Sequence, residues 1–301
     1  MSKHSGDNGF ANSLRRDEPM AARTSWRAGG KADQFYLPAD TDELIALLHA
    51  LPEQEQLYWM GLGSNLLVRD GGVRGTVICL TEMPHLIEQQ ADGSIYLSAA
   101  TPCAKVARTT AARGLGGAEF MAGIPGTVGG ALAMNAGAWG TETWQIVERA
   151  EMINRQGVVS VSPATDFKPA YRQVETATDG WFTGAYVRLA ETDSGVAQQR
   201  ISDLLKERAA SQPLGKFSCG SVFRNPDNDH AARLIEACGL KGHAIGGAVV
   251  SEKHANFIVN TGQATAADIE SLIDHIRSVV NDKFNIDLIP EVKIIGEAVR
   301  Q

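Results

Sequence analysis

The chain of 301 residues predicts an α+β fold, and three observations lead there. Hairpin signals stand at Asp92-Gly93 and Gln156-Gly157, each between two short apolar runs, so neighbouring strands pair antiparallel. Amphipathic helical stretches gather late in the chain, at 196–211, 229–238 and 265–282. Strands and helices do not alternate strictly, which disfavours a doubly wound parallel sheet.

In chain order, residues 1–20 are polar, mixed in charge and aperiodic, and read as a flexible tail. A strand at 34–37 leads to Pro38 and a helix capped by Asp40 or Thr41. That helix carries Glu43 in its first turn, sets Leu44, Leu47, Leu48 and Leu51 on one face, and is closed by Pro52. Strands follow at Leu57–Met60, Leu66–Val68 and 76–80, with GLGSN and the turn Asp70-Gly71-Gly72 between them. Runs at 86–90 and 95–99 flank the first hairpin turn, and an alanine-rich helix at 102–113 starts on Pro102 and stops at Gly114. The second hairpin joins 147–154 to 158–161, and 181–189 is a further strand. A change in character at 191–195 marks a domain boundary. Beyond it the three helices accompany strands at 257–259 and 292–295.

One stretch fits no regular element. Residues 119–140, EFMAGIPGTVGGALAMNAGAWG, hold six glycines, one proline and no charge after Glu119. Glycine is costly inside elements, yet the stretch is too apolar for a solvated linker. It reads as a turn-rich path whose bare backbone lies against something bulky.

Composition narrows the function. The formal net charge of −7 offers no broad basic surface for nucleic acid or an anionic membrane. The four cysteines lie far apart without metal-ligand spacing, so they read as buried small hydrophobes, and no metal site is expected. No apolar run approaches the roughly 20 residues of a membrane span, and the start of the chain lacks a signal-peptide core. A reducing cytoplasm is the expected location. Glycine clusters at Gly29-Gly30, 61–65 and 123–130 read either as plain turns or as loops whose amides meet a nucleotide's phosphates. GLGSNL lacks the third glycine of a dinucleotide fingerprint, and no GxxxxGK[ST] exists.

A series of ordered blocks carries a resemblance. TSWRAGGKADQFYLP, GLGSNLLVRDGGVRG, GGAEFMAGIPGTVGGALAMNAGAWG, YR at 171–172, QPLGKFSCGSVFRNP, RLIEACGLKG, SEKHANFIVN and PEVKIIG resemble the UDP-N-acetylenolpyruvoylglucosamine reductase family. They run in order from about Thr24 to Gly296. The resemblance implies an FAD-binding fold of the vanillyl-alcohol oxidase type, in two subdomains at about 21–80 and 81–193. A C-terminal α+β domain at 196–301 would take the UDP-sugar. It implies NADPH-dependent reduction of UDP-N-acetylglucosamine enolpyruvate to UDP-N-acetylmuramate, in peptidoglycan precursor synthesis. An oxidase or dehydrogenase of the same fold with another substrate, or a binding module without chemistry, are the alternatives. The partners implied are small molecules, and oligomeric state stays open.

The resemblance also assigns residues. Gly61, Gly63, Ser64 and Asn65, with Gly123, Ile124, Pro125, Gly126, Thr127, Gly129 and Gly130, would surround the FAD, and Asn135 and Gly137 would lie close by. No His or Cys occupies 61–65, so a non-covalent flavin is expected. Ser221 matches the proton donor, and Arg172 and Glu291 the two other active-site residues. Asn225 matches a substrate-binding asparagine, Arg224 stands where lysine is usual, and Lys216 could meet a phosphate. Ser251, Glu252, His254 and Asn256 would line the sugar site. From the residues alone, Arg172 reads as a surface arginine, Ser221 as a turn serine and Glu291 as a strand-edge charge. Three departures stand out. Val174 replaces a serine common in the family, and Cys219 replaces the small residue usual before the glycine of the GS pair and reads as packing like one, its nearness to Ser221 making thiol-reagent sensitivity a point to test. The third is that only 49 positions separate Arg172 from Ser221, which matches the shorter class lacking a tyrosine-bearing loop over the substrate.

Overall fold

The computed structural model describes residues 13–299. The chain divides into two compact units. One comprises residues up to Arg16, Gln34–Gly61 and Gly75–Leu205, and the other Asp17–Asp33, Leu62–Arg74 and the chain from Lys206 onward.

The first unit is built on a five-stranded antiparallel sheet in the order Val159–Pro163, Val147–Ile153, Trp181–Val187, Ile95–Ser98, Ile87–Gln89. Both expected hairpins are in it. One face packs on the helices Cys103–Ala112 and Val128–Met134, around Leu97, Val106, Met121, Leu132, Ala150 and Ala185. A separate cluster joins Leu44, Leu47 and Leu48 of the helix Thr41–Ala50 to Tyr36, Ile78 and Ile153. Asp40 caps that helix by accepting the Glu43 N–H at 2.8 Å. Leu57–Met60 runs parallel to Val73–Cys79 within a four-stranded sheet ordered Leu14–Pro19, Lys31–Tyr36, Val73–Cys79, Leu57–Met60.

Two expectations need correction here. The flexible tail expected for 1–20 fails over its last part: Leu14–Pro19 is a strand and Met20 is fully buried, while 1–12 lie outside the described residues. That strand sits at the end of its sheet order and exposes most of its side chains, so backbone pairing holds it and no apolar periodicity announces it. The stretch 119–140 is more regular than its glycines suggest. It forms a 3-10 turn at Glu119–Gly123, the helix Val128–Met134 and a tight hairpin of Gly137–Ala138 with Thr141–Glu142. Thr127 caps the helix, Asn135 ends it in the left-handed conformation, and Val128, Ala131 and Leu132 are buried. Gly129 is required by packing, since a Cβ there would lie 2.9 Å from the Ala99 side chain. Close approach and burial outweigh a helix penalty of about 1 kcal/mol per glycine.

The second unit centres on the helix Ala266–Phe284, whose Ile269, Leu272, Ile273, Ile276 and Val280 are buried as the periodicity predicts. A capping box of Thr265 and Asp268 starts it, and Asn285 ends it in the left-handed region. It packs on the helix Ala231–Ala237 and on a small sheet of Ala244–Ile245, Ala248–Val250 and Ile258–Asn260. Two early segments complete this unit. The fully buried Trp26 donates its indole N–H to the Ile258 carbonyl at 2.8 Å, and its own carbonyl accepts from Asn260 Nδ2 at 2.7 Å. Leu66–Val68 pairs parallel with Lys293–Ile295. The expected boundaries at 80/81 and 191–195 therefore do not describe the units. Segments 17–33 and 62–74 group with the C-terminal part, and the second boundary falls inside the helix Ser194–Ser211, whose Ala197 and Ile201 belong to the first core.

Candidate active site

Arg172 sits in the two-residue turn between Phe167–Ala170 and Gln173–Thr176, in the first unit. Its φ of 60° is left-handed, a conformation that two-residue hairpin turns call for and that costs a non-glycine residue energy. The guanidinium stacks 4.7 Å over the ring of Tyr171, itself 42% exposed. Behind the turn, Asn135 Nδ2 donates to the Ala170 carbonyl at 3.3 Å. Sequence reasoning gave Asn135 to the cofactor and assigned no part to Tyr171 beyond its place in the YR pair. Pairwise packing across a turn has no periodic signal.

The glycine loop lies in the same unit. A Cβ at Gly61 would meet Thr127 Oγ1 at 2.5 Å, so the exit of the strand Leu57–Met60 runs directly against the loop. A Cβ at Gly123 would collide with the Trp139 ring. The amides of Val128 and Gly129 are spent on the carbonyls of Thr101 and Ala99, at 2.9 and 3.0 Å. These glycines thus serve the protein's own packing. Gly130 differs: it is exposed, and a Cβ there would have only Thr127 Oγ1 near it, at 4.0 Å. Pro125 is exposed and Gly126 half-buried, and no side chain from Ile124 to Asn135 is ionisable. Neutral, accessible backbone of this kind suits a diphosphate and a flat ring system better than charged side chains would.

In the second unit, Ser221 and Glu291 lie on neighbouring extended segments, which meet antiparallel at the isolated bridge of Phe223 with Pro290. The Glu291 N–H donates to the Val222 carbonyl at 2.7 Å, and the Arg224 N–H to the Ile289 carbonyl at 2.9 Å. Both Ser221 and Glu291 are half-buried. Asn65 flanks the pair from the other side: its Nδ2 donates to the Glu291 carbonyl at 3.1 Å, and its own carbonyl accepts the Lys293 N–H. Cys219 Sγ lies 3.9 Å from the Gly63 carbonyl and 3.6 Å from that of Leu66. Within this unit, then, the Gly63–Ser64–Asn65 loop, the Cys219–Gly220–Ser221 segment and Glu291 form one cluster. Cys219 is 5% exposed and burial pushes its thiol up to about 12. This agrees with the reading of Cys219 as a buried small residue and argues against thiol-reagent sensitivity, because the nucleophilic form is the thiolate.

The residues assigned to the sugar divide in two. Asn256, 4% exposed, accepts the Phe223 N–H through Oδ1 at 2.9 Å and donates Nδ2 to the Phe223 carbonyl at 2.8 Å. Its carbonyl takes the Val222 N–H, so the whole residue braces the segment that follows Ser221. Ser251 is buried and accepts from the amides of Lys253 and His254, closing a turn. His254 Nδ1 accepts the Asn256 N–H at 3.3 Å, its ring stands edge-on to Phe257, and burial lowers its pKa. Asn225 is exposed, but its Oδ1 is engaged by the Ala231 N–H at 3.1 Å. Lys216 and Glu252 are exposed, with charged ends that can reach a ligand's polar groups, and Arg224 is half-buried.

Known proteins fit this arrangement. A model described as FAD binding domain matches residues 32–162, and one described as UDP-N-acetylenolpyruvoylglucosamine reductase, C-terminal domain, matches 212–295. Fold and models together define an α+β protein with an FAD-binding domain and a second, dedicated domain. A UDP-N-acetylenolpyruvoylglucosamine reductase of Methylococcus capsulatus is 55% identical over 281 residues, 93% of this chain and 92% of its own. One of Alkalilimnicola ehrlichii is 52% identical, covering 95% of each. The crystal structure of UDP-N-acetylenolpyruvylglucosamine reductase from Thermus caldophilus superposes with a TM-score of 0.80 at 29% identity, covering 92% of this chain and 97% of that one. The chain belongs to the UDP-N-acetylenolpyruvoylglucosamine reductase family.

Proposed function

We propose that the chain reduces UDP-N-acetylglucosamine enolpyruvate to UDP-N-acetylmuramate with NADPH, through non-covalent FAD, in peptidoglycan precursor synthesis in the cytoplasm. The observation that carries this reading is the Ser221–Glu291 cluster in a chain that follows the family over nearly its whole length. Accessible backbone at Gly126 and Gly130, with Gly61, Ile124, Pro125 and Thr127, would hold the FAD together with Gly63, Ser64 and Asn65. Gly123, Gly129, Asn135 and Gly137 would support that loop from behind. When bound, FAD supplies the hydride relay from NADPH to C3 of the enolpyruvyl group.

The protein's own groups do the rest. Ser221 would deliver a proton to C2, completing addition of one hydride and one proton across the double bond. A serine is a weak acid, so its alkoxide must be stabilised as it forms by a dry, polar surround. Arg172 would hold the enolpyruvyl carboxylate, whose negative charge grows during hydride addition. Glu291, fixed through Val222 and Asn65, would orient the proton path. Lys216, Arg224 and Asn225 would meet the diphosphate, and Ser251, Glu252, His254 and Asn256 would shape the sugar site.

The test is anaerobic spectroscopy. Purified protein should be yellow, NADPH should bleach it, and the UDP-enolpyruvyl sugar should restore the colour. A colourless protein that cannot be reconstituted with FAD overturns the proposal. Reoxidation by oxygen with no response to the sugar would instead favour an oxidase of the same fold.

A further inference from the structure

We infer that Asn135 is a positioning residue for Arg172, acting through the carbonyl of Ala170; the inference rests on the role proposed for Arg172. Asn135 is 2% exposed and every polar atom of its side chain is engaged. Oδ1 accepts the Trp144 N–H at 3.2 Å, while Nδ2 donates to Glu142 Oε2 at 2.7 Å and to the Ala170 carbonyl at 3.3 Å. One acceptor and two donors at this site is the inventory of a primary amide. A carboxylate has no donor to offer, and a hydroxyl has only one. The backbone adds a second demand. Asn135 has φ 43° and ψ 50°, the left-handed region in which asparagine is the best tolerated residue after glycine. Glycine would satisfy the backbone and lose all three bonds, and glutamine would keep the amide and strain the backbone.

Two of these bonds tie Asn135 to a rigid frame, and the third reaches the hairpin that carries Arg172. Glu142 is fixed by the hairpin whose turn, Trp139-Gly140, has φ of 52° and 80°. Trp144 is anchored by its indole N–H on the Leu132 carbonyl at 2.9 Å. Asn135 transmits that rigid frame to Ala170, the residue immediately before the Tyr171-Arg172 turn. Arg172 itself is left-handed and half-buried in a two-residue turn, so where its guanidinium stands depends on how the base of that turn is held. Tyr171 stacks on it from one side, and Asn135 holds the turn's base from the other.

Asn135→Asp keeps the acceptor for Trp144 but removes the donor to Ala170 and sets two carboxyl groups together. Adding Glu142→Gln restores a donor–acceptor pair between positions 135 and 142, still without a donor to Ala170. The pair of variants therefore separates local stability from the hold on the turn. Melting temperature should fall in Asn135→Asp and recover in the double variant. Amide exchange in 170–176 of the purified protein should quicken in both. Turnover at saturating substrate should stay down about tenfold to a hundredfold in both, the scale of a small misplacement of a reacting group. In an Arg172→Lys background the same change should cost little more, since both act through one guanidinium. Recovery of turnover together with stability in the double variant would show a merely structural role and overturn the inference. So would exchange in 170–176 that matches the parent, or a full additional loss in the Arg172→Lys background. Wild-type turnover in Arg172→Lys alone would overturn the proposed role of Arg172, and the inference with it, whatever the exchange shows.

Discussion

Ser221 carries the sharpest prediction at the scale of single residues. Ser221→Ala should bleach with NADPH at the parent rate, yet reoxidise with the UDP-enolpyruvyl sugar about 10²- to 10⁴-fold more slowly, the usual worth of a positioned acid. Stopped-flow absorbance at the flavin band measures both halves, and equal reoxidation rates would remove Ser221 from the chemistry. Cys219, two residues away, should not react. Buried with its thiol pushed up to about 12, it should resist an aromatic disulfide reagent in native protein and titrate only after unfolding. His254 sets a pH dependence. Burial holds its pKa below the ordinary value, and its Nδ1 must stay unprotonated to accept the Asn256 N–H. The unfolded chain binds a proton below about pH 6.5 and the folded chain resists it, so stability is full above that pH and declines as pH falls through it. The urea midpoint should drop between pH 7.5 and 5, and less so in His254→Gln.

Among the elements, the loop entering the helix Val128–Met134 is the one to perturb. Gly126→Val should place a branched side chain in the half-buried stretch proposed to meet FAD, and release flavin before the protein unfolds. Flavin absorbance per chain at a temperature well below melting is the check, and full occupancy would make the loop a structural turn. Much of this level was legible from sequence. Asp40 and the Leu44, Leu47, Leu48 stripe, both hairpins, and the helix Ala266–Phe284 all follow from cap chemistry and periodicity. Val128–Met134 was not legible, because Gly129 exists for close contact with Ala99, and contact partners are invisible to a propensity reading. The same limit hid the roles of Asn65, Asn135 and Asn256. Sequence marks each as part of a site, while the fold spends their amides on the backbones that carry Glu291, Arg172 and Ser221.

For the whole molecule, the two units are interleaved in sequence. The second core takes Trp26 and Leu67 as well as residues after Lys206. A fragment spanning 206–301 would lack the fully buried Trp26 and the parallel partner of Lys293–Ile295. It should therefore fail to melt cooperatively by calorimetry, where the full chain does; losing one large buried aromatic costs about 3–5 kcal/mol, a third or more of typical domain stability.

By itself the sequence determined the α+β class, the regular elements with strong periodicity, and, through the ordered blocks from Thr24 to Gly296, the family and the residues to examine. Those properties are local or copied along the chain, so neighbours in sequence suffice to reveal them. Only the tertiary structure decided which segments share a core, that a polar stretch at Leu14–Pro19 is a strand, and that Cys219 is sealed. Each depends on burial and hydrogen bonding between residues tens to hundreds of positions apart, such as Trp26 with Ile258 and Asn65 with Glu291. Such pairings leave no pattern in the order of the residues, because the free energy that selects them is set by the surface two distant segments remove from water together.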